Sequence, residues 1–305
     1  MKHVEAFERP MGMGGTVLRI HVLQGSRHAL LVDTAMRGYE HMVADALNYV
    51  RSQGLPLTWI VNTHAHHDHI GLNSWVHTQT GAQIVSHIWS RRWLADPDIN
   101  YQEFVLEFPD LIQETRAWRA EVHDTLGPGT ILDVGMVGGE HLDLGDVDVE
   151  IIDVSGHLPG EIGLLIRDDQ LLILGDVLVG LDLPMFHGYV NPPQLRKALH
   201  GIQTLVTNGL VTQVSTSHLP PLKTPEAILD AVTQRLHEVD EIQALIVDAI
   251  RDEAASLEMI WRRVSFAKHK LPEFRGLKMI AGHLLELQSQ GEIAHRDGEY
   301  HVVRG

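Results

Sequence analysis

The chain is 305 residues long, 44% hydrophobic and 21% charged, a length and balance that can bury a sizeable core and that argue against general disorder. Acidic residues outnumber basic ones 40 to 24, so the formal charge is −16 and a phosphate backbone is an unfavoured ligand unless basic side chains cluster. With no cysteine there are neither disulfides nor thiolate metal sites, and any metal must be held by histidine and carboxylate.

No apolar run approaches the roughly 20 residues of a membrane helix, and the opening MKHVEAFERP lacks the apolar core of a signal peptide. A cytoplasmic protein with no membrane partner is expected. Residues 16–23 (TVLRIHVL) and 28–34 (HALLVDT) read as strands joined by a turn at Gly25-Ser26. Residues 39–53 have helical spacing, with Tyr39, Met42, Val43, Ala46, Leu47 and Val50 on one face. LTWIVNT, residues 57–63, is the next strand and leads directly into THAHHDHIGL; a helix over 72–80 and a short strand, AQIVSH, follow. Residues 88–127 read as a helical insert rich in aromatics, holding Trp89, Trp93, Tyr101, Phe104, Phe108 and Trp118 and divided by Pro97 and Pro109.

A second strand-rich block runs from 130 to 174, with DVDVEIIDV and EIGLLIRDDQLLILGD as its clearest members and a hairpin signal at Asp168-Asp169. A helix over 193–206 and the strand LVTQVSTS complete it. Two blocks of strands and helices predict an α/β sandwich with helices on both outer faces. Near Thr224 the pattern changes to helices at 225–238, 242–255, 256–264 and 277–290, then GEIAHRDGEYHVV, a hairpin with Asp297-Gly298 at its tip. Helices followed by a hairpin outline a winged helix. The expected division is therefore 1–223 and a small winged-helix-like α+β unit over 224–305.

The residues that carry chemistry concentrate in the histidine stretch. His64 and His66 are two apart, so at a strand end they point the same way. Asp68 and His69 follow as the chain turns into a helix, and one loop can thus present two ligands to one metal and two to a neighbour. Ala65 and His67 occupy the intervening positions and are expected to point away. Three later strand ends supply the missing donors: His157 in DVSGHLPGE, Asp176 in LILGDVL and His218 in VSTSHLPP.

In order and approximate spacing, H-x-H-x-D-H, SGHLPG, LGD and the strand-end histidine resemble the metallo-β-lactamase superfamily over roughly residues 14–222. The resemblance implies a four-layer αββα sandwich. It implies that His64, His66 and His157 hold one divalent cation and that Asp68, His69 and His218 hold a second, with Asp176 bridging. It also implies that Asp33 lies beneath the loop and orients a ligand histidine. Zinc is the default for such nitrogen and oxygen donors, with iron or manganese compatible. The implied reaction is hydrolysis by a hydroxide shared between the two ions, with Asp68 able to pass a proton to the leaving group.

The bridging Asp176 and the lack of cysteine disfavour a β-lactam. No basic tail of the kind glyoxalase II uses for glutathione is evident, and Val179 stands where many lactonases carry tyrosine; Tyr189 and His187 lie a little further on, either reaching the pocket or packing within their loop. Trp89, Trp93, Phe104 and Phe108 are candidates to line an apolar pocket, against the plainer reading of insert core. The expected activity is cleavage of an ester, thioester or lactone of a small, partly apolar substrate. A rival reading is an endoribonuclease or phosphodiesterase, motivated by Arg262, Arg263, Lys268, Lys270, Arg275 and Lys278 in a C-terminal region that nonetheless has 14 acids against 10 bases. The plainer view of that region is a unit that packs on the hydrolase or makes it a homodimer. A third reading is a metal-containing regulatory protein acting through protein contacts.

Overall fold

The computed structural model describes residues 3–11, 16–180 and 185–303. In chain order, the first sheet takes β1 (Val4–Pro10), β2 (Val17–Gln24), β3 (Ala29–Val32), β4 (Leu57–Val61), β5 (Gln83–His87) and β6 (Val134–Met136). Three helices lie between its strands: α1 (Glu40–Ser52), α2 (His67–Ile70) and α3 (Asn73–Thr80). The insert supplies α4 (Arg91–Ala95), α5 (Pro97–Val105) and α6 (Arg116–Trp118). The second sheet, of five strands, takes β7 (His141–Asp143), β8 (Asp148–Asp153), β9 (Ile162–Ile166), β10 (Leu171–Leu174) and β11 (Gln213–Thr216), with α7 (Pro192–Thr207) before its last strand. The remainder is α8 (Pro225–Ala249), α9 (Leu257–Ala267), α10 (Phe274–Ser289) and the hairpin β12 (Ile293–Arg296) and β13 (Glu299–Val302).

The strands sort their side chains by twos, and this builds the layers. In β3, Ala29 and Leu31 face α1 while Leu30 and Val32 face the other sheet; in β10, Leu171 and Ile173 face the first sheet while Leu172 and Leu174 face α7. Runs such as ALLV and LLIL are apolar at every position because both faces are covered. One cluster lies between the sheets and one under each helical layer, the four-layer αββα arrangement. The strands β3 to β6 run parallel, as do β10 and β11, so the loops after β3, β4, β10 and β11 gather at one end of the sandwich.

The C-terminal segment departs from the sequence reading. The four helical stretches expected there are three, because α8 runs unbroken through HEVDEIQ. Val232, Val239, Ile242 and Ile246 keep the apolar spacing across it, and Glu238 is buried on the same side in an ion pair with Arg235. The outer apolar cluster continues from β10 through α7 into α8, α9 and α10. Arg196 of α7 ties these helices together, reaching Asp240 at 3.0 Å, Gln243 at 2.7 Å and Glu286 at 2.9 Å. The hairpin turns at Asp297 and Gly298, both with positive φ (53° and 83°), as a two-residue turn of this kind requires. Among the described residues no helix is long and apolar enough to cross a membrane.

In α10, Gly282 lies against the backbone of Val190, and a Cβ there would meet the Val190 carbonyl oxygen well inside van der Waals contact. Alanine is worth about 0.5–1 kcal/mol more than glycine within a helix, but overpacking against fixed backbone costs about 1–3 kcal/mol. Gly282→Ala is therefore expected to lower the melting temperature by several degrees in a thermal melt. His21 and His283 are both buried and held neutral, each lowered to about 3 chiefly by burial. The unfolded chain, with ordinary histidines near 6.5, binds more protons between pH 6.5 and 3. Stability is thus expected to fall as pH drops through that window, and His21→Gln is expected to flatten part of that slope in melts taken across pH.

Candidate metal centre

β4 ends at Val61, and the next eight residues fold into a tight turn whose polar groups are almost wholly enclosed: Asn62, Thr63, His64 and His69 are 0% exposed. Buried polar groups need partners. Here the partners come from four other loops at the same end of the sandwich. His157 follows β8, Asp176 follows β10, His218 follows β11 and Asp33 follows β3, all of them buried.

The seven residues expected as ligands fall into two groups. One holds His64, His66, His157 and Asp176; the other holds Asp68, His69 and His218; within each, the candidate donor atoms lie within 4.8 Å of one another. Asp176 stands between them. Its Oδ2 faces His157 Nε2 at 3.6 Å and His64 Nε2 at 3.9 Å, and its Oδ1 faces His218 Nε2 at 3.3 Å and His69 Nε2 at 3.4 Å. Asp68 joins the second group through His218 at 3.2 Å and His69 at 3.7 Å.

This donor set fits divalent cations on its own geometry. His66 Nδ1 lies 3.1 Å from His64 Nε2 and 3.0 Å from His157 Nε2, so three ring nitrogens converge where few protons can be shared. His69 Nε2 and Asp176 Oδ1 are buried without a hydrogen-bond partner, a cost of about 1–3 kcal/mol each if nothing answers them. The opposite ring nitrogens are already engaged. His157 Nδ1 pairs with the Gly188 carbonyl at 2.6 Å, His218 Nδ1 with the Val17 carbonyl at 2.9 Å and His69 Nδ1 with Asp33 at 2.8 Å. With Nδ1 donating, it is Nε2 of each ring that faces the cage and, in the neutral ring, carries the lone pair a cation would take.

The electrostatics follow from the same packing. Burial pushes His64 and His66 well below the usual imidazole range and His157 to about 3, leaving these rings neutral. In the second group burial acts in the same direction on His69 and His218, but the surrounding carboxylates outweigh it and raise both. Burial opposes ionisation of Asp68 and Asp176, yet their imidazole neighbours hold both well below the carboxylate norm.

A further layer holds these groups in place. Asp33, in the left-handed region at φ 60°, accepts from Thr63 N at 2.8 Å and Thr63 Oγ1 at 2.9 Å as well as binding His69, the place expected for it. Two residues were not anticipated. Buried Arg19 donates to the carbonyls of Thr216 and Leu219, both at 2.6 Å, and so brackets the His218 turn; it is neutralised by Glu8. Glu161, within the quoted SGHLPGE, accepts from the backbone N–H of Asp176 at 2.6 Å and of Val177 at 3.0 Å, and burial raises its carboxyl well above normal. The position of Glu161 beside a motif histidine was a legible signal; a strand arginine such as Arg19 offered none.

The two groups form the floor of a cleft of about 840 Å³, open to solvent and walled in part by Phe104, Val179, Phe186, Glu121, Arg275 and Lys278. Of the four aromatics proposed as lining, Phe104 is in the wall, its ring 4.1 Å from that of His66. Trp89 is 70% exposed, and Trp93 and Phe108 pack in the apolar layer, because the short helices of the insert turn only one aromatic inward. His67 stands outside both groups, as expected, but it is buried in the cleft wall rather than turned away, since the first turn of α2 carries it beside Asp68. His187 reaches Asp176 Oδ2 at 3.1 Å, while the Tyr189 hydroxyl turns aside to His283 at 2.7 Å.

The basic segment of the C-terminal region divides its charges. Arg275 pairs with Glu273 at 2.6 Å and Glu121 at 2.5 Å, and Lys278 with Glu107 at 2.5 Å and the Glu103 carbonyl at 2.6 Å, both inside the cleft wall. Arg262 pairs with Glu258 and Lys268 with Glu241 away from it. A basic arm at the cleft, which the sequence did not reveal, is thus supplied by α10.

Residues 18–214 match the sequence model of the metallo-beta-lactamase superfamily. The chain is 26% identical over 170 residues to a probable metallo-hydrolase of Bacillus subtilis, spanning 56% of this chain and 70% of that protein. It is 24% identical over 279 residues to a hydroxyacylglutathione hydrolase of Methylococcus capsulatus, spanning 89% and 90%. Among solved structures, a metallo-beta-lactamase family protein of Thermus thermophilus superimposes with a TM-score of 0.76 at 18% identity over 99% of both chains. A beta-lactamase domain protein of Burkholderia ambifaria gives 0.70 at 16% identity over 99% of this chain and 92% of the other. At these identities the structures speak to the fold.

Removing Asp33 strips three buried donors of their acceptor and frees His69 to rotate. Asp33→Ala is expected to weaken cation binding by about 10–100-fold, measured as metal retained after dialysis against a graded chelator. Full retention would show that His69 is oriented by other contacts.

Proposed function

The chain belongs to the metallo-beta-lactamase superfamily, and on that premise we propose that it is a hydrolase cleaving the ester, thioester or lactone bond of a small, partly apolar substrate that carries an acid group. The observation that carries this reading is the junction of two surfaces in one cleft: a floor of convergent imidazole and carboxylate donors, and a wall of Phe104, Phe186 and Val179 interrupted by two cations from α10. His64, His66 and His157 would hold one cation and Asp68, His69 and His218 the other, with Asp176 shared. A bound pair of divalent ions, zinc by default for such donors with iron or manganese compatible, supplies Lewis acidity and an acidified water.

The remaining work belongs to the protein's own side chains. The apolar wall takes up the acyl portion and excludes water from it. Arg275 and Lys278 orient an anionic group by charge-assisted hydrogen bonds. Asp68, ionised at rest beside His218 and on the cleft surface, would take up a proton transiently and pass it to a departing alkoxide or thiolate. The near full-length likeness to a hydroxyacylglutathione hydrolase favours the thioester among the three bonds. The endoribonuclease reading is less favoured because its basic side chains do not form one surface: Arg262 and Lys268 pair with Glu258 and Glu241 away from the cleft, while Arg275 and Lys278 lie in the cleft wall.

The test is a panel of p-nitrophenyl esters, acyl thioesters and lactones, each with and without a carboxylate, assayed on zinc-loaded protein. Turnover is expected for the thioesters, and Asp176→Asn is expected to cut it by about 100-fold or more. Losing one charge-assisted hydrogen bond costs about 1.5–3 kcal/mol, so Arg275→Gln is expected to raise KM about 10–100-fold for acidic substrates and leave neutral ones nearly unchanged. Absence of turnover with metal bound would point to the regulatory reading, and salt-dependent binding of single-stranded RNA in a gel shift would restore the nuclease.

A further inference from the structure

His187 belongs to neither donor group, yet it makes the shortest approach of any imidazole to Asp176. Its Nε2 lies 3.1 Å from Oδ2, compared with 3.6 Å for His157 and 3.9 Å for His64. Its ring stacks on that of His157, nearly parallel at 15° with centroids 5.0 Å apart. A ring held in this way keeps its Nε2 beside the carboxylate.

The segment that carries His187 is fastened at several points. The Gly188 carbonyl accepts from His157 Nδ1 at 2.6 Å. Val190 N and Asn191 N donate to the Gly156 carbonyl at 3.0 and 3.1 Å, so the segment is joined to the very loop that presents His157. From the other side, the Tyr189 hydroxyl meets buried His283 of α10 at 2.7 Å, Arg235 of α8 lies over the Tyr189 ring at 5.1 Å, and Phe186 is fully buried against Gly276 of α10. One short segment therefore orients two cage residues, His157 through a backbone carbonyl and Asp176 through the His187 side chain.

We propose that His187 is a positioning residue for the shared carboxylate: its Nε2–H donates to Asp176 Oδ2 and holds the two oxygens turned toward their separate donor groups. Without that bond Asp176 is free to rotate about its side-chain torsions and to swing both oxygens toward one group, and a pair of cations loses its common ligand. A carboxylate that bridges must be fixed in rotation as well as in place, and none of the other imidazoles around Oδ2 is close enough to do this by hydrogen bonding. This role rests on the metal-centre reading above.

The experiment measures cation binding rather than catalysis. Native protein and the variants His187→Ala, His187→Phe and His187→Gln are loaded with zinc, and the stoichiometry and affinity of each are read by chelator competition with elemental analysis. Thermal melts of the same samples report folding. Native protein is expected to hold two zinc ions per chain. His187→Ala and His187→Phe are expected to bind at least one of them about 10–100-fold more weakly. His187→Gln, which keeps an N–H donor, is expected to stay within a few-fold of native. Should Ala fail to fold, the Phe and Gln pair decides alone. Equal, native-like affinity in Ala and Phe would overturn the proposal, as would a loss in Gln as large as in Phe, which would mark a packing role. Native protein that takes up no zinc would remove the centre itself and the role of His187 with it. Tight zinc binding without hydrolysis of any ester would overturn only the proposed activity and leave the role of His187 standing.

Discussion

Burial of Asp176 is the constraint on which the rest of the structure depends. A carboxylate at 2% exposure is costly unless every lone pair has a partner. The chain surrounds it with imidazoles on both sides and anchors its backbone N–H on Glu161, yet leaves Oδ1 without a hydrogen-bond partner, a lone pair that a cation would answer. Because those imidazoles come from the loops after β4, β8 and β11, the carboxylate can be satisfied only if both sheets are correctly registered. The centre is thus not an ornament on a finished scaffold. Its polar groups are among the most enclosed in the molecule, and they tie the two halves of the sandwich together at one end.

The outer contacts of the centre show how the surrounding fold serves it. Arg19 in β2 secures the His218 turn, Asp33 after β3 secures His69, and the segment before α7 secures His157 and Asp176. In each case a residue fixed by backbone pairing at a strand or helix end orients a side chain that has no stable position of its own. This is the arrangement expected when ligand geometry must be held to fractions of an ångström by groups that do not themselves touch the cation.

The C-terminal helices take part in the same assembly. α10 contributes Arg275 and Lys278 to the cleft wall and His283 to the segment behind His187, while α8 lays Arg235 over Tyr189. Ion pairs from α10 to Glu107 and Glu121 also join these helices to the insert that carries Phe104. Two stretches far apart in the chain therefore pack together and build one wall of the cleft. Of the charges that looked from the sequence like a surface for a polyanion, Arg275 and Lys278 are directed into the cleft wall, while Arg262 and Lys268 pair with glutamates away from it.

Much of the fold was legible in the amino-acid order, because alternation by twos in β3 or β10 and the apolar spacing of α1 are local consequences of burying one face or both. The seven donors were legible for a similar reason: His64, His66, Asp68 and His69 share one turn, and His157, Asp176 and His218 each sit at a strand end beside small or turn-forming residues. The unbroken course of α8 was not, since a polar run reads as a break until its apolar residues are seen to continue the same face. Nor were Arg19 and the inward turn of Arg275, and His187 was legible only as a residue either reaching the pocket or packing within its loop. Their meaning depends on contacts between residues 11, about 150 or nearly 200 positions apart, and no local pattern encodes which face such a side chain will meet. The sequence by itself determined which imidazoles and carboxylates gather at one end of the sandwich and the layers that carry them. Tertiary packing alone decided how those groups are aimed and what walls the cleft, because orientation is set by partners that only folding brings together.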